Sequence, residues 1–430
     1  MTKFGPEHVV EVPGSKSISN RALICAALAT GASNIANCAP GDDTEAMIES
    51  LRRLGVTETS SEQNIVLSGS IDLENPNHVV LDAKLAGTTS RFLTALAALR
   101  RGQTTVDGGE SLRSRPMGQL HDALAEIGTS VDATRAPGHL PVTVSRGVNM
   151  LSAVKLGAEV SSQYTSALMM VAPYLPNGLE ILLGSKVVSR GYIEMTVGVM
   201  RAFGAQVDFS DNHIWVAPGR YSATEYSVEP DASSASYPFA ACAISGGDLT
   251  VKGLSRASLQ GDVAFVDVLA AMGCQVSQTS AGLRIRREKS APLKGIDVDM
   301  SQISDCVPTL AVVALFAATP NEISGVGFIR GKESDRIADL ALELRKLGAN
   351  VHERPDGLRI EPSSLTGAKM STHHDHRLAM AFALAQREVT NILIDDPKVV
   401  VRHQRCAGQQ TGLDSETIGL VTNYCPKFAQ

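Results

Sequence analysis

Basic side chains stand at the beginning of several apolar, Ala-rich segments that are typical of buried helices. Lys16 and Arg21 begin the first of these segments, Arg91 the second and Arg377 the sixth. A cation at a helix N-terminus opposes the helix macrodipole, so its presence there needs a further reason. The free N–H groups of a helix N-terminus, together with Lys and Arg side chains, form a strong site for phosphate or carboxylate groups. These residues therefore predict a ligand that carries several negative charges.

Hydroxyl side chains recur at the same helix starts and would complete such a site. They are Ser15, Ser17, Ser19, Thr88, Thr89, Ser161 and Ser162. Each alone is equally typical of an ordinary N-cap, but their recurrence at corresponding positions favours ligand binding. The segment GKESDRI (331–337) adds Lys332, Glu333 and Arg336 ahead of another helix. Its simpler interpretation is a solvated first turn in which Glu333 and Arg336 pair at i,i+3.

Histidine and cysteine residues give little indication of a metal centre. The cluster HHDH (373–376) is interpreted as a polar helix start rather than a metal site, because no cysteine or spaced third ligand accompanies it. The cysteines stand mostly in apolar helical stretches and predict buried free thiols. They are Cys25, Cys38, Cys242, Cys274, Cys306, Cys406 and Cys425.

The elements that position these residues form an internal repeat. Five amphipathic segments of helical periodicity each end with Gly where a left-handed C-cap is expected. They are 43–55, 115–128, 192–204, 262–273 and 335–348. A strand-like stretch, often with a turn inside it, follows each one and predicts a hairpin.

A second family of helices, apolar throughout, alternates with the amphipathic segments. Its six members are 15–31, 86–102, 161–178, 231–247, 303–320 and 374–386. The resulting repeat of roughly seventy residues is too long for an ordinary solenoid and predicts six similar units, three in each of two globular domains. We expect the apolar helices to be buried and the amphipathic ones to face solvent.

Composition is consistent with this mixed α/β organisation and excludes other classes. The chain has 430 residues, 43% of them hydrophobic, which favours two cores over one. A net charge of −6 argues against a dedicated binder of nucleic acid or anionic membranes. The sequence has no apolar stretch long enough to span a membrane, so a cytoplasmic protein is expected.

The domain seams are predicted at Pro13-Gly14 and Glu229-Pro230, each just before an apolar helix. One domain would comprise residues 14–229. The other would be discontinuous and comprise residues 1–13 and 230–430.

The segments that carry the charged and hydroxyl residues closely resemble, in type and order, those of the 5-enolpyruvylshikimate-3-phosphate (EPSP) synthase family. They are PGSKSISNRAL (13–23), LAGTTSRF (85–92), RPMG (115–118), SSQYTSAL (161–168), DASSASY (231–237), KESDR (332–336) and DHRLAM (375–380). The likeness runs from about residue 9 to about residue 398. It implies an inverse α/β barrel of two domains with six βαβαββ repeats, three in each domain.

The resemblance also implies the reaction. The family transfers the enolpyruvyl group of phosphoenolpyruvate to the 5-hydroxyl of shikimate 3-phosphate and releases phosphate by addition and elimination, in the shikimate pathway to chorismate. Asp305 matches the family's base, Glu333 matches its proton donor, and Lys16 is expected to share either task. No metal or organic cofactor is expected, because phosphoenolpyruvate itself carries the reactive enol and the leaving group. A monomer is expected.

Binding residues are carried over from the same resemblance. Those implied to hold shikimate 3-phosphate are Lys16, Ser17, Arg21, Ser161, Ser162, Gln163, Ser189, Asp305 and Lys332. Those implied to hold phosphoenolpyruvate are Lys16, Gly87, Arg115, Gln163, Arg336, Arg377 and Arg402. Tyr192 is expected either beside the shikimate ring or in the core at a helix start.

Three positions depart from the family pattern. Leu85 and Phe328 each stand where Asn is usual, and Arg402 falls where a Lys is usual within an atypical C-terminal stretch. Two alternatives stay open. One is the sister enzyme that transfers enolpyruvyl to UDP-N-acetylglucosamine, although the loop GGESLRSRP lacks that family's cysteine. The other is an anion-binding protein without catalytic activity, which would have no reason to keep Asp305 and Glu333.

Overall fold

The computed structural model describes residues 4–61, 64–157, 161–184 and 189–402. Its α-helices in these ranges are α1 (Lys16–Leu28), α2 (Asp42–Arg53), α3 (Gly87–Ala97), α4 (Glu110–Arg113), α5 (Gly118–Glu126), α6 (Ser162–Val171), α7 (Arg190–Ala202), α8 (Ala232–Ser245), α9 (Phe265–Ala271), α10 (Val307–Ala314), α11 (Arg336–Lys346) and α12 (His376–Ala385). Short 3-10 helices comprise Ala172–Tyr174, Gly261–Ala264, Ser304–Cys306, Gly327–Gly331 and Pro397–Arg402.

The strands alternate with the helices along the chain. Those in the described ranges are β1 (Glu7–Val10), β2 (Ser33–Ala36), β3 (Thr57–Ser61), β4 (Asn64–Ser68), β5 (Val79–Asp82), β6 (Thr104–Asp107), β7 (Ser130–Ala133), β8 (Val142–Ser145), β9 (Ala153–Leu156), β10 (Leu179–Leu183), β11 (Val207–Ser210), β12 (His213–Val216), β13 (Glu225–Ser227), β14 (Gly247–Lys252), β15 (Gln275–Gln278), β16 (Gly282–Arg287), β17 (Asp297–Asp299), β18 (Asn321–Ser324), β19 (Asn350–Arg354), β20 (Gly357–Glu361), β21 (Lys369–Met370) and β22 (Leu393–Ile394).

The chain divides into two compact units. The N-terminal unit is Gly14–Val228, and the C-terminal unit joins Met1–Pro13 to Glu229–Gln430. The chain returns to the C-terminal unit between Val228 and Glu229, one residue before the predicted seam at Glu229-Pro230. Each unit has its own apolar core.

Three four-stranded sheets form the N-terminal unit, in the orders β13-β2-β4-β3, β5-β6-β8-β7 and β9-β10-β12-β11. In each sheet the first two strands are parallel and the last two extend them as an antiparallel hairpin. An apolar helix joins each parallel pair in the second and third sheets, as a parallel connection requires. In the first sheet, β13 from the end of the unit pairs with β2 from its beginning.

The C-terminal unit repeats the pattern. Its four-stranded sheets have the orders β1-β14-β16-β15 and β17-β18-β20-β19, and β21 pairs with β22 in parallel. Strand β1 precedes the N-terminal unit in sequence and lies parallel to β14. The sequence prediction of helices followed by hairpins is confirmed by β11–β12, β15–β16 and β19–β20, which come after three of the amphipathic segments.

The helices differ in burial as the sequence predicts. Helices α1, α3, α6, α8, α10 and α12 are buried along almost their whole length. Helix α2 exposes charged residues on one side and buries Met47 and Leu51 on the other. The predicted C-cap glycines all have positive φ, between 85° and 111°, a conformation that costs Gly little. They are Gly55, Gly128, Gly204, Gly273 and Gly348.

Five cysteines are buried, as predicted: Cys25, Cys38, Cys242, Cys274 and Cys306. Burial raises the pKa of the Cys25 thiol to about 12, so it stays protonated at neutral pH. Cys406 and Cys425 lie outside the described residues. Within the described ranges, no helix combines the length and the apolar character needed to cross a membrane.

Candidate active site

In the N-terminal unit, Arg21 links helix α1 to helices α6 and α7. From α1 its guanidinium donates to Ser166 Oγ of α6 at 3.0 Å and to Thr196 Oγ1 of α7 at 2.8 Å. It also donates to the Ser17 carbonyl at 2.8 Å, and only 1% of the residue is exposed. Burial lowers the pKa of Arg21 to about 10, which leaves it charged at neutral pH. Arg21, which the sequence predicts to bind an anion, thus makes these hydrogen bonds to other residues of the protein.

Lys16 at the start of α1 has a carboxylate partner that the sequence analysis missed. Its Nζ lies 3.0 Å from Asp43 Oδ2 in the first turn of α2. The Thr89 hydroxyl of α3 donates to the Asp43 carbonyl at 2.9 Å, so the beginnings of α1, α2 and α3 meet here. Asp43 lies at a helix N-terminus, where a negative charge is favourable. The cation at the start of α1 is therefore partly offset without a bound anion.

Residues predicted to hold phosphoenolpyruvate come together at the starts of α3 and α6. Arg91 Nη1 donates to Gln163 Oε1 at 2.7 Å. A Cβ atom added to Gly87 would lie 2.7 Å from Nη1 of both Arg91 and Arg115. Gly87 therefore allows two guanidinium groups to approach the backbone at the start of α3. Arg91 thus links Gln163 of α6 to the start of α3, where Arg115 also lies.

The predicted serine ligands occupy helix starts in different ways. Ser161 is the N-cap of α6, and its hydroxyl accepts from the Gln163 N–H at 3.4 Å. Ser162 is 7% exposed and Ser189 is 6% exposed, and Ser189 has a φ of 53° just before α7. Ser161 therefore makes the ordinary N-cap hydrogen bond that the sequence analysis considered beside ligand binding. Tyr192 is the third residue of α7, where it packs against the core with its ring centroid 6.0 Å from the Arg21 guanidinium.

In the C-terminal unit, Asp305 is surrounded by cations. It lies on the 3-10 helix before α10, with Oδ2 at 2.8 Å from Arg377 Nη2 and Oδ1 at 3.2 Å from Arg336 Nη1. Lys332 Nζ is 3.8 Å from the same Oδ1. Burial alone would raise the pKa of Asp305, but Arg377, Lys332 and Arg336 together hold it well below its usual range. Asp305 is therefore ionised across the whole physiological range.

Arg336 is the buried centre of this group. It is 1% exposed, and its Nε lies 2.7 Å from Oδ2 of the fully buried Asp375. Its Nη2 is 2.7 Å from Glu333 Oε2, so the i,i+3 pair considered from the sequence is present. Burial opposes the charge on Arg336, yet Asp375, Glu333 and Asp305 raise its pKa above the ordinary value. Burial lowers the pKa of Lys332, although Asp305 opposes that shift.

The N-cap residues of α11 and α12 determine where the helices that carry Arg336 and Arg377 begin. Asp335 accepts from the Ala338 N–H at 3.0 Å and begins α11, so that Arg336 is the first helical residue. Asp375 accepts from the Arg377 N–H at 2.9 Å and begins α12. The same Asp375 side chain holds Arg336, and sequence analysis gave no indication of this second role. Asp375 can cap α12 and pair with Arg336 only because the starts of α11 and α12 lie close together. That closeness depends on tertiary packing and is not visible in the local sequence.

The histidine cluster belongs to the structure around α11. His373 Nε2 lies 2.8 Å from Oε1 of the fully buried Glu343, and Nδ1 lies 3.3 Å from Asp339 Oδ1. Among the residues that the structure describes, no group of three His, Cys, Asp or Glu side chains is arranged to hold a metal ion. Arg402 ends the 3-10 helix Pro397–Arg402, and its side chain lies outside the description.

Two of the three departures from the family pattern, Leu85 and Phe328, are apolar side chains. Leu85 is partly buried, and a Cβ atom added to Gly109 would lie 2.8 Å from its Cδ2. Phe328 packs against the core of the C-terminal unit. Both side chains therefore pack where a polar amide would need a hydrogen-bond partner.

Comparison with known proteins identifies the group of proteins to which these features correspond. Residues 7–403 match the sequence profile of EPSP synthase (3-phosphoshikimate 1-carboxyvinyltransferase). A 3-phosphoshikimate 1-carboxyvinyltransferase of Nostoc punctiforme is 42% identical over 392 residues, which cover 90% of this chain and 92% of that protein. A protein of the same name from Methanosphaerula palustris is 41% identical over 392 residues, which cover 90% of this chain and 92% of that protein. An EPSP synthase structure from Acinetobacter baumannii superposes with a TM-score of 0.78 and 23% identity, covering 97% of this chain and 95% of the other.

Proposed function

The chain belongs to the EPSP synthase family, and from this premise we propose that it transfers the enolpyruvyl group of phosphoenolpyruvate to the 5-hydroxyl of shikimate 3-phosphate. It is a transferase of the shikimate pathway, which supplies chorismate for aromatic amino acid biosynthesis. The observation that carries the proposal is the family match over residues 7–403, which spans every proposed site residue. The cluster of Lys332, Arg336 and Arg377 around Asp305 supports it.

In the proposed reaction the 5-hydroxyl oxygen bonds to C2 of phosphoenolpyruvate and gives its proton to Asp305. Glu333 gives a proton to the methylene carbon C3, and Lys16 shares either proton transfer. Glu333, now deprotonated, takes a proton back from C3 of the tetrahedral adduct, the C2–C3 double bond forms again, the bond from C2 to the phosphate oxygen breaks, and phosphate leaves with the electron pair of that bond. No cofactor takes part in this scheme. General acid and base groups contribute on the order of 10²–10⁴-fold to such steps.

The proposed ligand contacts are divided between two sets of residues. For shikimate 3-phosphate they are Lys16, Ser17, Arg21, Ser161, Ser162, Gln163, Ser189, Asp305 and Lys332. For phosphoenolpyruvate they are Lys16, Gly87, Arg115, Gln163, Arg336, Arg377 and Arg402. The approach of Gly87 to Arg115 and the cations around Asp305 support the second set. Arg21 already donates to Thr196 and Ser166, so its ligand would be bound by a side chain that is held in place by the protein.

We further propose the inverse α/β barrel of six βαβαββ repeats for the fold. The five four-stranded sheets of similar order and the parallel pair β21–β22 support it. The proposed domains are residues 14–229 and residues 1–13 with 230–430, and the two compact units divide the chain close to these positions. We also propose that the protein is a cytoplasmic monomer that binds neither nucleic acid nor membranes. The net charge of −6 supports the absence of such binding.

Phosphate release by the purified full-length chain tests the proposal. The enzyme is incubated with phosphoenolpyruvate alone, with added shikimate 3-phosphate, and with added UDP-N-acetylglucosamine. We expect release only with shikimate 3-phosphate, and we expect Asp305→Asn to slow it by on the order of 10²–10⁴-fold. Release with the UDP-sugar would support the sister activity instead. No release with either acceptor, together with tight phosphoenolpyruvate binding, would support an anion-binding protein without catalysis.

A further inference from the structure

Asp262 is a buried carboxyl group in the C-terminal unit for which the proposed reaction has no use. It lies on the 3-10 helix Gly261–Ala264 and is 5% exposed. Its Oδ2 accepts a hydrogen bond from the Ser233 hydroxyl of α8. Its Oδ1 is buried without a hydrogen-bond partner among the residues that the structure describes. An ionised carboxylate with an unsatisfied buried oxygen is costly, so this arrangement favours a proton on Asp262.

The charged and titratable groups around Asp262 come from three other parts of the unit. Asp231 lies before α8, Asp305 and Cys306 lie on the 3-10 helix before α10, and Arg377 lies on α12. Burial and the negative charge of Asp305 raise the pKa of Asp262 to about 7, although Ser233 and Arg377 oppose the shift. Burial keeps the pKa of Cys306 well above its usual range, so Cys306 adds no charge at neutral pH. Asp262 is therefore the member of this group whose charge changes near pH 7.

Asp262 and Asp305 share Arg377 as a neighbouring cation. Arg377 lies 2.8 Å from Asp305 and also stabilises the ionised form of Asp262. We propose that Asp262 is a positioning residue that is protonated when phosphoenolpyruvate binds and that, once ionised, competes with phosphoenolpyruvate for Arg377. The proposal rests on the proposed function, since it assigns Arg377 to the phosphoenolpyruvate site.

The expected effect falls on substrate affinity more than on turnover. A neutral Asp262 leaves Arg377 with one carboxylate to exchange for the anionic substrate. An ionised Asp262 adds a second negative charge near Arg377 and repels the same substrate. We expect this repulsion to raise the KM for phosphoenolpyruvate roughly tenfold between pH 6 and pH 8. Asp305 is ionised throughout this range, so the kcat at saturating phosphoenolpyruvate should change less.

The kinetic test compares the pH dependence of the KM for phosphoenolpyruvate in three proteins. Asp262→Asn cannot ionise, and its KM should lack the rise that the wild type shows between pH 6 and pH 8. Asp267→Asn is the matched control, because Asp267 lies on neighbouring α9 and pairs with Arg256 at the surface. Its profile should follow that of the wild type. The same rise in Asp262→Asn as in the wild type would overturn the proposal.

A second variant tests the same idea in the opposite direction. The Ser233 hydroxyl stabilises the ionised form of Asp262 and so lowers its pKa. Ser233→Ala should therefore move the rise in KM to higher pH, whereas a purely structural role for Asp262 predicts no movement. An unmoved midpoint in this variant also counts against the proposal, even if Asp262→Asn fails to fold.

Thermal unfolding provides a test that does not depend on activity. The pKa of Asp262 is about 7 in the folded protein and roughly 4 when unfolded, so its bound proton stabilises the fold fully at low pH and this contribution is lost as pH rises to 7. Asn has no such loss. The Tm of Asp262→Asn minus that of the wild type should therefore increase from pH 5 to pH 8. If this difference in Tm stays constant between pH 5 and pH 8, the proposal that Asp262 holds a proton in the folded protein is wrong. If the wild type releases no phosphate, the proposed function alone is wrong.

Discussion

Asp305 and Arg377 form a direct ion pair, with Arg377 Nη2 at 2.8 Å from Asp305 Oδ2. Arg377 Nη1 also donates to the Asp305 carbonyl at 3.3 Å. The proposed base and a proposed cation of the phosphoenolpyruvate site are therefore ion-pair partners. Because these cations lower the pKa of Asp305, the carboxylate is a weak base until an anionic substrate takes them over. Phosphoenolpyruvate would thus activate the base by binding.

Asp305→Asn should separate binding from catalysis. Without the carboxylate, Arg377 and Arg336 each lose one anionic partner that competes with phosphoenolpyruvate, so the Kd for phosphoenolpyruvate should fall several-fold. Turnover should fall by on the order of 10²–10⁴-fold, because the base is lost. Calorimetric titration and phosphate release measure the two effects. Asp297→Asn, at an exposed position of β17, should change neither. Weaker phosphoenolpyruvate binding by Asp305→Asn would show that Asp305 organises the cations rather than competing with the substrate.

Lys16→Met should abolish phosphate release with little effect on folding. Lys16 and Asp43 are each about one-sixth exposed, with side-chain exposures of 16% and 17%. Asp43 keeps the favourable N-terminus of α2 after the substitution, so the free energy of unfolding should fall by about 1 kcal/mol or less. Urea unfolding measures this change. Lys252→Met removes an exposed pair with Glu11 and should leave turnover intact. Full activity in a folded Lys16→Met variant would remove Lys16 from the site.

Arg336→Met and Arg377→Met should weaken phosphoenolpyruvate binding alike but differ in stability. Arg336 is 1% exposed and leaves Asp375 buried without its main cation, a loss of about 3–5 kcal/mol. Removal of Arg377 leaves Asp305 with Arg336 and Lys332, so the loss should be about 1–2 kcal/mol. Urea midpoints and phosphoenolpyruvate titrations measure both effects. Equal midpoints would contradict the assignment of Arg336 as the buried centre of the cluster.

The sequence predicts local structure well and the site's counter-ions poorly. Helices, hairpins and C-cap glycines such as Gly204 follow from periodicity and backbone preference, which act within a few residues. The pair of Glu333 and Arg336 is likewise local. The contact of Arg336 with Asp375, by contrast, joins residues 39 positions apart at the starts of two different helices. Such pairs depend on how helices pack, and no periodicity in one sequence encodes them.

Gly87→Ala should impair phosphoenolpyruvate binding selectively. The added Cβ would lie 2.7 Å from the Arg91 and Arg115 guanidinium groups, so both must move. These are flexible tips and Ala is a better helix former than Gly, so stability should not fall. We expect the KM for phosphoenolpyruvate to rise roughly tenfold, equivalent to about 1.4 kcal/mol, with a smaller change for shikimate 3-phosphate.

Gly118→Ala is the matched control for this substitution. Its Cβ would meet only Gly138 Cα, at an ordinary 3.6 Å, so steady-state kinetics should stay those of the wild type. Equal KM values for phosphoenolpyruvate in Gly87→Ala and the wild type would show that the two arginines can move without cost to binding.

His121→Leu should make the protein more resistant to mild acid. His121 is 6% exposed on α5, and neither ring nitrogen has a hydrogen-bond partner among the described residues. Burial lowers its pKa to about 4, whereas the unfolded value is roughly 6.5, so the unfolded chain gains a proton first as pH falls. The stability associated with neutral His121 is complete above the unfolded pKa and is lost between about pH 6.5 and pH 4.

Between pH 7 and pH 5 this loss should amount to about 2 kcal/mol in the wild type and should be absent in His121→Leu. Urea unfolding of both proteins at the two pH values measures it. The control is His78→Leu, because His78 is exposed and its Nε2 bonds to the Thr105 hydroxyl at the surface. The stability of this variant should depend on pH as that of the wild type does. If His121→Leu loses as much stability as the wild type over this range, His121 takes up a proton without unfolding, and its surroundings must admit water to the ring.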